Sequence, residues 1–277
     1  MSVRGGVVSR LLRVEQSPVL VRAWEPAQGR VQLRAEPVDP ATVSAPRSIP
    51  APPSRPAGPA QLRLAIERMR FALGVDDDLG EVYRRFRRDP LLGPLLRWRP
   101  WLRPRRRPWA WEALAWAVVK QLIETERAAV IQRRIVGRWG SRLGRDRGAL
   151  RDMPGAETIA GRAPAELASM DLSPGRSIAL RAVAREIAAG RVSPGDPAAD
   201  ARLLAIPEIG PWTVQCLGLF GRGEPDSLPA GDLIYLKLVG RLAHLGRRAT
   251  VEEVEEFYAP YEPFRGLAGL WTIGLYR

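Results

Sequence analysis

Two short stretches toward the C-terminal end carry the residue types and spacings most suited to chemistry. The first is Leu203-Leu204-Ala205-Ile206-Pro207-Glu208-Ile209-Gly210-Pro211-Trp212-Thr213-Val214-Gln215. An apolar helix end, a short turn closed by Gly210 and a helix opened by Pro211 at its first position describe two helices joined by a tight hairpin. Free N–H groups and the helix dipole at such a start favour an anion, and glycine lets a phosphate come close. A hairpin of this kind also serves as a purely structural connection. The second stretch is Leu228-Pro229-Ala230-Gly231-Asp232-Leu233-Ile234-Tyr235-Leu236-Lys237. Taken alone, Asp232 reads either as a carboxylate at a helix N-terminus or as a catalytic group.

The rest of the composition narrows the chemistry. One cysteine, Cys216, and one histidine, His244, exclude an internal disulfide, a cysteine-rich zinc site and a four-cysteine iron-sulfur cluster. They leave little scope for a Ser-His-Asp triad. Catalysis therefore falls to carboxylates, aromatics, backbone dipoles and arginines. Of 277 residues, 43 are basic and 30 acidic, a formal charge of +13; all the basic residues are arginine except Lys120 and Lys237. That surplus points to a polyanionic partner, nucleic acid or an anionic membrane surface, and guanidinium forks suit phosphate. No run approaches the ~18 apolar residues of a membrane span, and Arg4 and Arg10 interrupt the apolar start. A cytoplasmic, nucleoid-associated monomer with no membrane partner is expected.

The elements that must position these stretches follow from pattern. Residues 1–40 alternate β-branched segments with turns at Pro18, Pro26-Ala27-Gln28-Gly29 and Pro37, predicting a small strand-rich domain. Residues 41–60 are proline-rich and read as an extended linker. Leu62, Ile66, Met69 and Leu73 recur at helical spacing, with Gly74 as a stop. Residues 84–107 hold ten arginines against the single acid Asp89, with Trp98 and Trp101 interleaved; this is either a solvated linker or a phosphate-facing strip. Periodicity alone draws Trp109–Trp139 as one helix. Ser141–Pro154 reads as a polar loop, Pro164 opens a short helix, and Ser173-Pro174 caps a helix that Gly190 ends.

A hairpin followed 22 residues after its glycine by Pro-x-x-Asp opening a helix resembles the helix-hairpin-helix base-excision DNA glycosylases, most closely their 3-methyladenine DNA glycosylase II branch. The likeness spans about residues 61–277. Trp111-Glu112-Ala113-Leu114 through Gln121-Leu122 matches the family's helix that ends in Gln before a DNA-probing loop. Leu167–Gly190 matches the next helical pair, and Pro263-Phe264-Arg265 to Trp271 the closing helix. The implied fold is mainly α: 61–108 plus 229–277 as one helical subdomain, 109–228 as a second carrying the hairpin at about 203–222, and an α+β N-terminal domain.

The resemblance also implies roles. Asp232 would be the catalytic carboxylate, stabilising oxocarbenium character as the N-glycosidic bond of a flipped nucleotide breaks. Leu122 would be the wedge filling the gap in the duplex, with Gln121 beside it, although helical periodicity alone would bury Leu122. The hairpin around Ile206, Ile209 and Gly210 would bind a DNA phosphate, with a monovalent cation, Na or K, on the carbonyls of Ile206 and Ile209 and no other cofactor. Trp212 stands where strand-cleaving relatives carry the lysine that forms an imine, which implies base removal without strand cleavage. Trp212 and Trp271, with Tyr235, are the expected walls of a pocket for a cationic alkylated base, or else core filler. Lys237 is expected as a phosphate contact or a surface charge. The chain departs from the family pattern in three places: Glu208 replaces a hairpin glycine, Cys216 stands where an aromatic is common, and Trp271 is offset. The competing readings are a non-catalytic hairpin protein that binds or senses damaged DNA, and an arginine-rich RNA-binding protein.

Overall fold

A computed structural model describes residues 2–27, 29–44, 55–144 and 149–275. The N-terminal expectation holds: β1 (Ser2–Arg4), β2 (Val7–Val14), β3 (Ser17–Ala27) and β4 (Arg30–Pro37) form one antiparallel sheet in sequence order. Leu12 and Val14 of β2 and Val19 and Val21 of β3 are fully buried, so the β-branched alternation supplies the apolar face. Part of the expected linker and part of the expected polar loop are strand instead. β5 (Val43–Ser44) pairs with β6 (Arg142–Leu143), which pairs with β7 (Leu150–Arg151). Residues 45–54 of that linker and 145–148 of that loop lie outside the described residues.

The helices follow their punctuation. α1 (Pro59–Leu73) buries Ala65 and Met69 and stops at Gly74, which takes the left-handed φ of +66° that its position requires. The arginine-rich strip is not a free linker: it contains the end of α2 (Gly80–Phe86) and all of α3 (Gly93–Trp98). The single helix drawn from periodicity is two, α4 (Ala110–Lys120) and α5 (Thr125–Trp139). α6 (Ala156–Ala160), α7 (Pro164–Ala168) and α8 (Pro174–Ala188) follow, α8 with Ser173 as N-cap and Gly190 at φ +68° beyond its end, both as the sequence indicated. α9 (Asp200–Leu204) leads to α10 (Pro211–Leu217), which runs on into a π-helical turn over Gly218–Arg222. α11 (Leu233–Leu242), α12 (Val251–Tyr258) and α13 (Arg265–Leu275) complete the chain. α12 opens with a reciprocal cap: Glu253 N–H donates to Thr250 Oγ1 and Thr250 N–H to the Glu253 carboxylate. The Arg247 guanidinium and that N–H hold the Glu253 carboxyl down at about 2.

Contacts divide the chain into two compact units: Met1–Ala72 with Val118–Ser193, and Leu73–Ala117 with Pro194–Arg277. This grouping differs from the expected subdomains, since the hairpin joins the C-terminal helices and the N-terminal sheet joins α5–α8. The core of the second unit is aromatic. Phe86, Leu92 and Leu95 pack with Tyr235, Val239, Val254, Tyr258 and Trp271, and Tyr235 meets Tyr258 edge-on at 5.8 Å between ring centres. Arg222, its side chain only 4% exposed, ion-pairs with Asp200 and donates Nε–H to the Pro194 carbonyl at 2.9 Å. The π-helical turn after α10 is thereby tied to the start of α9. Arg265 at the head of α13 is paired with Asp226 in the loop that precedes Asp232.

Candidate functional site

The hairpin forms where the sequence placed it. α9 ends at Leu204, Leu203 and Ile209 bury their side chains beneath the turn, and Pro211 opens α10. Gly210 has an extended backbone, φ −105° and ψ 177°, and a Cβ there would meet nothing of the protein within 4 Å. Neither backbone geometry nor internal packing requires a glycine here, and its lack of a side chain leaves the backbone bare. The N–H groups of Gly210 and Trp212 find no acceptor among the described residues, whereas the Gly210 carbonyl accepts from Thr213 and Val214. The residue that needs glycine-like freedom is Glu208, at φ +70°, and its side chain is exposed. At the cation candidate, the Ile206 carbonyl accepts the Ile209 N–H at 3.0 Å, which leaves its second lone pair and the Ile209 carbonyl as oxygen donors.

Asp232 is the N-cap of α11, its carboxylate accepting the Ile234 N–H at 3.1 Å. This is the helix N-terminal reading of its carboxylate, and the cap bond fixes the side chain at the helix mouth. Trp212 lies against the residue before it: a Cβ built on Gly231 would stand 4.0 Å from Trp212 Cβ and Cδ1. One turn into α11, Tyr235 is 2% exposed, and Trp271 of α13 is 3% exposed. The Tyr235 hydroxyl reaches α13 at Gly269, where an added Cβ would sit 2.8 Å from it. Trp212 Nε1, Tyr235 Oη and Trp271 Nε1 are all buried atoms and have no hydrogen-bond partner among the described residues. Leaving a buried N–H or O–H unpaired costs about 1–3 kcal/mol, a cost that a polar group from outside would relieve. Burial, reinforced by the nearby Tyr258, Asp232 and Cys216, pushes the Tyr235 hydroxyl well above the usual phenol range; it remains protonated and able to donate.

In the other unit, α4 stops at Lys120 without glycine or proline. In a continuing helix the Val119 carbonyl would accept from Ile123 N–H. Here it accepts from Arg176 Nη1 of α8 at 2.9 Å, and Ile123 N–H turns to the Lys120 carbonyl. The next residue to start a helix is Thr125, with Glu124 extended before it. On the far side of the gap, Arg127 of α5 is hydrogen-bonded to Asp171 at 3.0 Å. Between them Leu122 is held at φ +55° and is 104% exposed, while Gln121 is half-buried. A large apolar side chain fully in water on a left-handed backbone is unfavourable twice over. The helical pattern that would have buried Leu122 is overruled.

No protein-family model matches the chain. Over 207 residues it is 27% identical to a DNA-3-methyladenine glycosylase of Bacillus subtilis, covering 72% of this chain and 68% of that one. Over 225 residues it is 29% identical to a probable bifunctional transcriptional activator/DNA repair enzyme AlkA of Mycobacterium tuberculosis, covering 76% of this chain but only 43% of that one. The structure of a 3-methyladenine DNA-glycosylase from Archaeoglobus fulgidus superposes with a TM-score of 0.77 at 20% identity, over 99% of this chain and 88% of that one. The chain is similar in sequence to proteins named as DNA-3-methyladenine glycosylase and AlkA, and it shares the fold of the solved 3-methyladenine DNA-glycosylase.

The second unit contains Trp212, Tyr235, Trp271, Asp232 and the hairpin, while Gln121 and Leu122 belong to the first. Lys237 is exposed on α11. Sequence reasoning missed two positioning groups. Arg176 gives no local signal, because its acceptor lies 57 residues away. Gly269, the small residue that admits the Tyr235 hydroxyl, sits inside a helix, where an unexplained glycine was the available clue.

Proposed function

We infer that this chain is a monofunctional DNA glycosylase that extrudes an alkylated, 3-methyladenine-like base from duplex DNA and hydrolyses its N-glycosidic bond, leaving an abasic site for base excision repair. The observation that carries the reading is Asp232, fixed as the N-cap of α11 in the same unit as Trp212, Tyr235 and Trp271, whose polar atoms are buried and unpaired among the described residues. An alkylated purine is cationic, so the bonding electron pair leaves with the base as a neutral molecule and no protein acid is required. The sugar acquires oxocarbenium character, which the Asp232 carboxylate opposes with negative charge. Water then adds to the anomeric carbon and gives up its proton to Asp232 or to solvent. Trp212 and Trp271 offer electron-rich faces to the cationic base, at ~0.5–2 kcal/mol per ring, and the Tyr235 hydroxyl offers a hydrogen bond.

Leu122 fills the space the base leaves, with Gln121 next to it, offsetting part of an unstacking cost of a few kcal/mol. The bare N–H groups around Gly210 receive a DNA phosphate. The carbonyls of Ile206 and Ile209 would hold a monovalent cation, which would add positive charge toward that phosphate, and Lys237 adds a further phosphate contact. Trp212 in place of a lysine removes the amine from which an imine would form, so strand cleavage is not expected. The protein is taken to act as a monomer. The test is incubation with duplexes each carrying one lesion, followed by alkaline cleavage at abasic sites and, in parallel, borohydride trapping. Alkali-dependent breaks at alkylated purines with no trapped adduct support the reading. A trapped covalent complex would overturn the monofunctional assignment, and absence of excision on every lesion would overturn the activity.

A further inference from the structure

We propose that Trp98 and Trp101, with the arginines around them, form a second nucleic-acid contact that takes single-stranded DNA. Trp98 is 66% exposed and Trp101 69% exposed, whereas Trp116, Trp139 and Trp271 are buried. Exposing two tryptophans three residues apart serves no packing purpose and marks a surface for a partner. The platform is nonetheless firmly built. Leu95 and Leu96 of α3 are buried beneath it. Past the end of α3, Tyr83 Oη donates to the Pro100 carbonyl at 2.6 Å and Arg103 Nη1 donates to the same oxygen at 3.2 Å. The Arg99 guanidinium lies over the Trp98 ring, 4.3 Å from its centre; it occupies one face and brings positive charge to the ring.

Charge decides the kind of partner. The only acid in the strip, Asp89, is committed to the N–H groups of Leu91 and Leu92 and to the Tyr261 hydroxyl. Arg106 is spent on Asp77 and Arg107 on Glu112. Arg84, Arg88 and Arg105 are exposed and pair with no carboxylate among the described residues. Exposed guanidinium groups in the same stretch as exposed tryptophans match a chain of phosphates carrying unstacked bases, the combination by which proteins hold single strands without reading sequence. Duplex DNA supplies the phosphates but hides its base faces in the stack. A lipid surface would ask for a wider apolar face than two rings, and α3 turns Leu95 and Leu96 inward. This contact takes from the proposed function only that DNA is the partner.

The experiment measures fluorescence anisotropy of a labelled oligothymidylate with the full chain and with the double variant Trp98→Ala/Trp101→Ala, at two salt concentrations. Single-turnover excision from an alkylated duplex is followed on the same preparations. The expected result is salt-dependent oligothymidylate binding that weakens about tenfold or more in the variant, with the excision rate constant unchanged. The variant Trp98→Phe/Trp101→Phe retains much of the binding, because a stacking face remains. Equal oligothymidylate affinity in wild type and the alanine variant overturns the proposal. So does loss, on the same substitution, of binding to phosphatidylcholine/phosphatidylglycerol vesicles while the oligonucleotide is unaffected. Oligothymidylate binding that follows the expected pattern in a protein without excision activity supports the platform and counts against the proposed function alone.

Discussion

The loop between α4 and α5 and the hairpin between α9 and α10 are both short helix-to-helix connections, and each holds a non-glycine residue in the left-handed region: Leu122 at φ +55° and Glu208 at φ +70°. They differ in what that conformation serves. In the first loop the strained residue presents its side chain, and Leu122 stands wholly in solvent. In the hairpin the strained residue turns the chain where the backbone N–H groups of Gly210 and Trp212 find no acceptor among the described residues. One connection spends strain on a side chain and the other on a backbone. A glycine at each position separates the two cases, since glycine relieves the strain and deletes the side chain together.

The largest effect is expected at neither loop. Asp232→Asn keeps the shape and the cap oxygen but removes the negative charge opposite the developing cation. Single-turnover excision of an alkylated base should fall by at least about 10²-fold, while duplex affinity measured by anisotropy changes little. Retained turnover would remove Asp232 from the chemistry and leave both loops serving a DNA-binding protein.

Leu122→Gly comes next. The variant should be more stable than wild type by up to about 1 kcal/mol in urea unfolding, because a left-handed leucine is relieved. Its excision from a stable base pair should nevertheless drop about tenfold, with a smaller loss when the lesion lies opposite a mismatch, where unstacking costs less. An equal loss on both substrates would mean that Leu122 does not act as a wedge.

How far these regions were legible in the sequence follows the same division. The hairpin could be read because its signals are local: Pro211 at a helix start, Gly210 before it, and Asp232 in capping position a fixed distance on. The N-terminal sheet was readable through its β-branched alternation and turn residues. The break after Lys120 was not readable from periodicity, because the Val119 carbonyl is diverted by an arginine 57 residues away; only the family resemblance placed a loop there. The two-residue strands β5 to β7 are too short for any alternation to register. Cys216 and Tyr235 show a further limit. The sequence shows a cysteine where an aromatic is common, and the structure shows a buried tyrosine from α11 within electrostatic reach of it, a relation that only packing reveals.

Arg176→Ala tests that distant control. Without the guanidinium, the Val119 carbonyl is free to take the Ile123 N–H and the gap can close toward continuous helix. Excision from a stable pair should fall several-fold with the Michaelis constant little changed, and Arg176→Lys should recover part of it by supplying a shorter donor. Proteolysis at the loop provides the structural readout, since a re-formed helix is cut more slowly than an exposed turn.

Glu208→Gly carries the smallest expected effect and the opposite sign. Relief of the left-handed conformation should raise stability by up to about 1 kcal/mol, as for Leu122→Gly. Here, however, the deleted side chain is an acid on a turn whose backbone is offered to phosphate, and its charge repels the ligand over the screening distance of ~10 Å at moderate salt. Duplex affinity should therefore increase by a few-fold at low ionic strength, with the gain shrinking as salt rises. The excision rate constant at saturating protein should stay the same. A fall in affinity would show that the Glu208 side chain itself takes part in holding DNA, and the contrast between a side-chain loop and a backbone loop would fail.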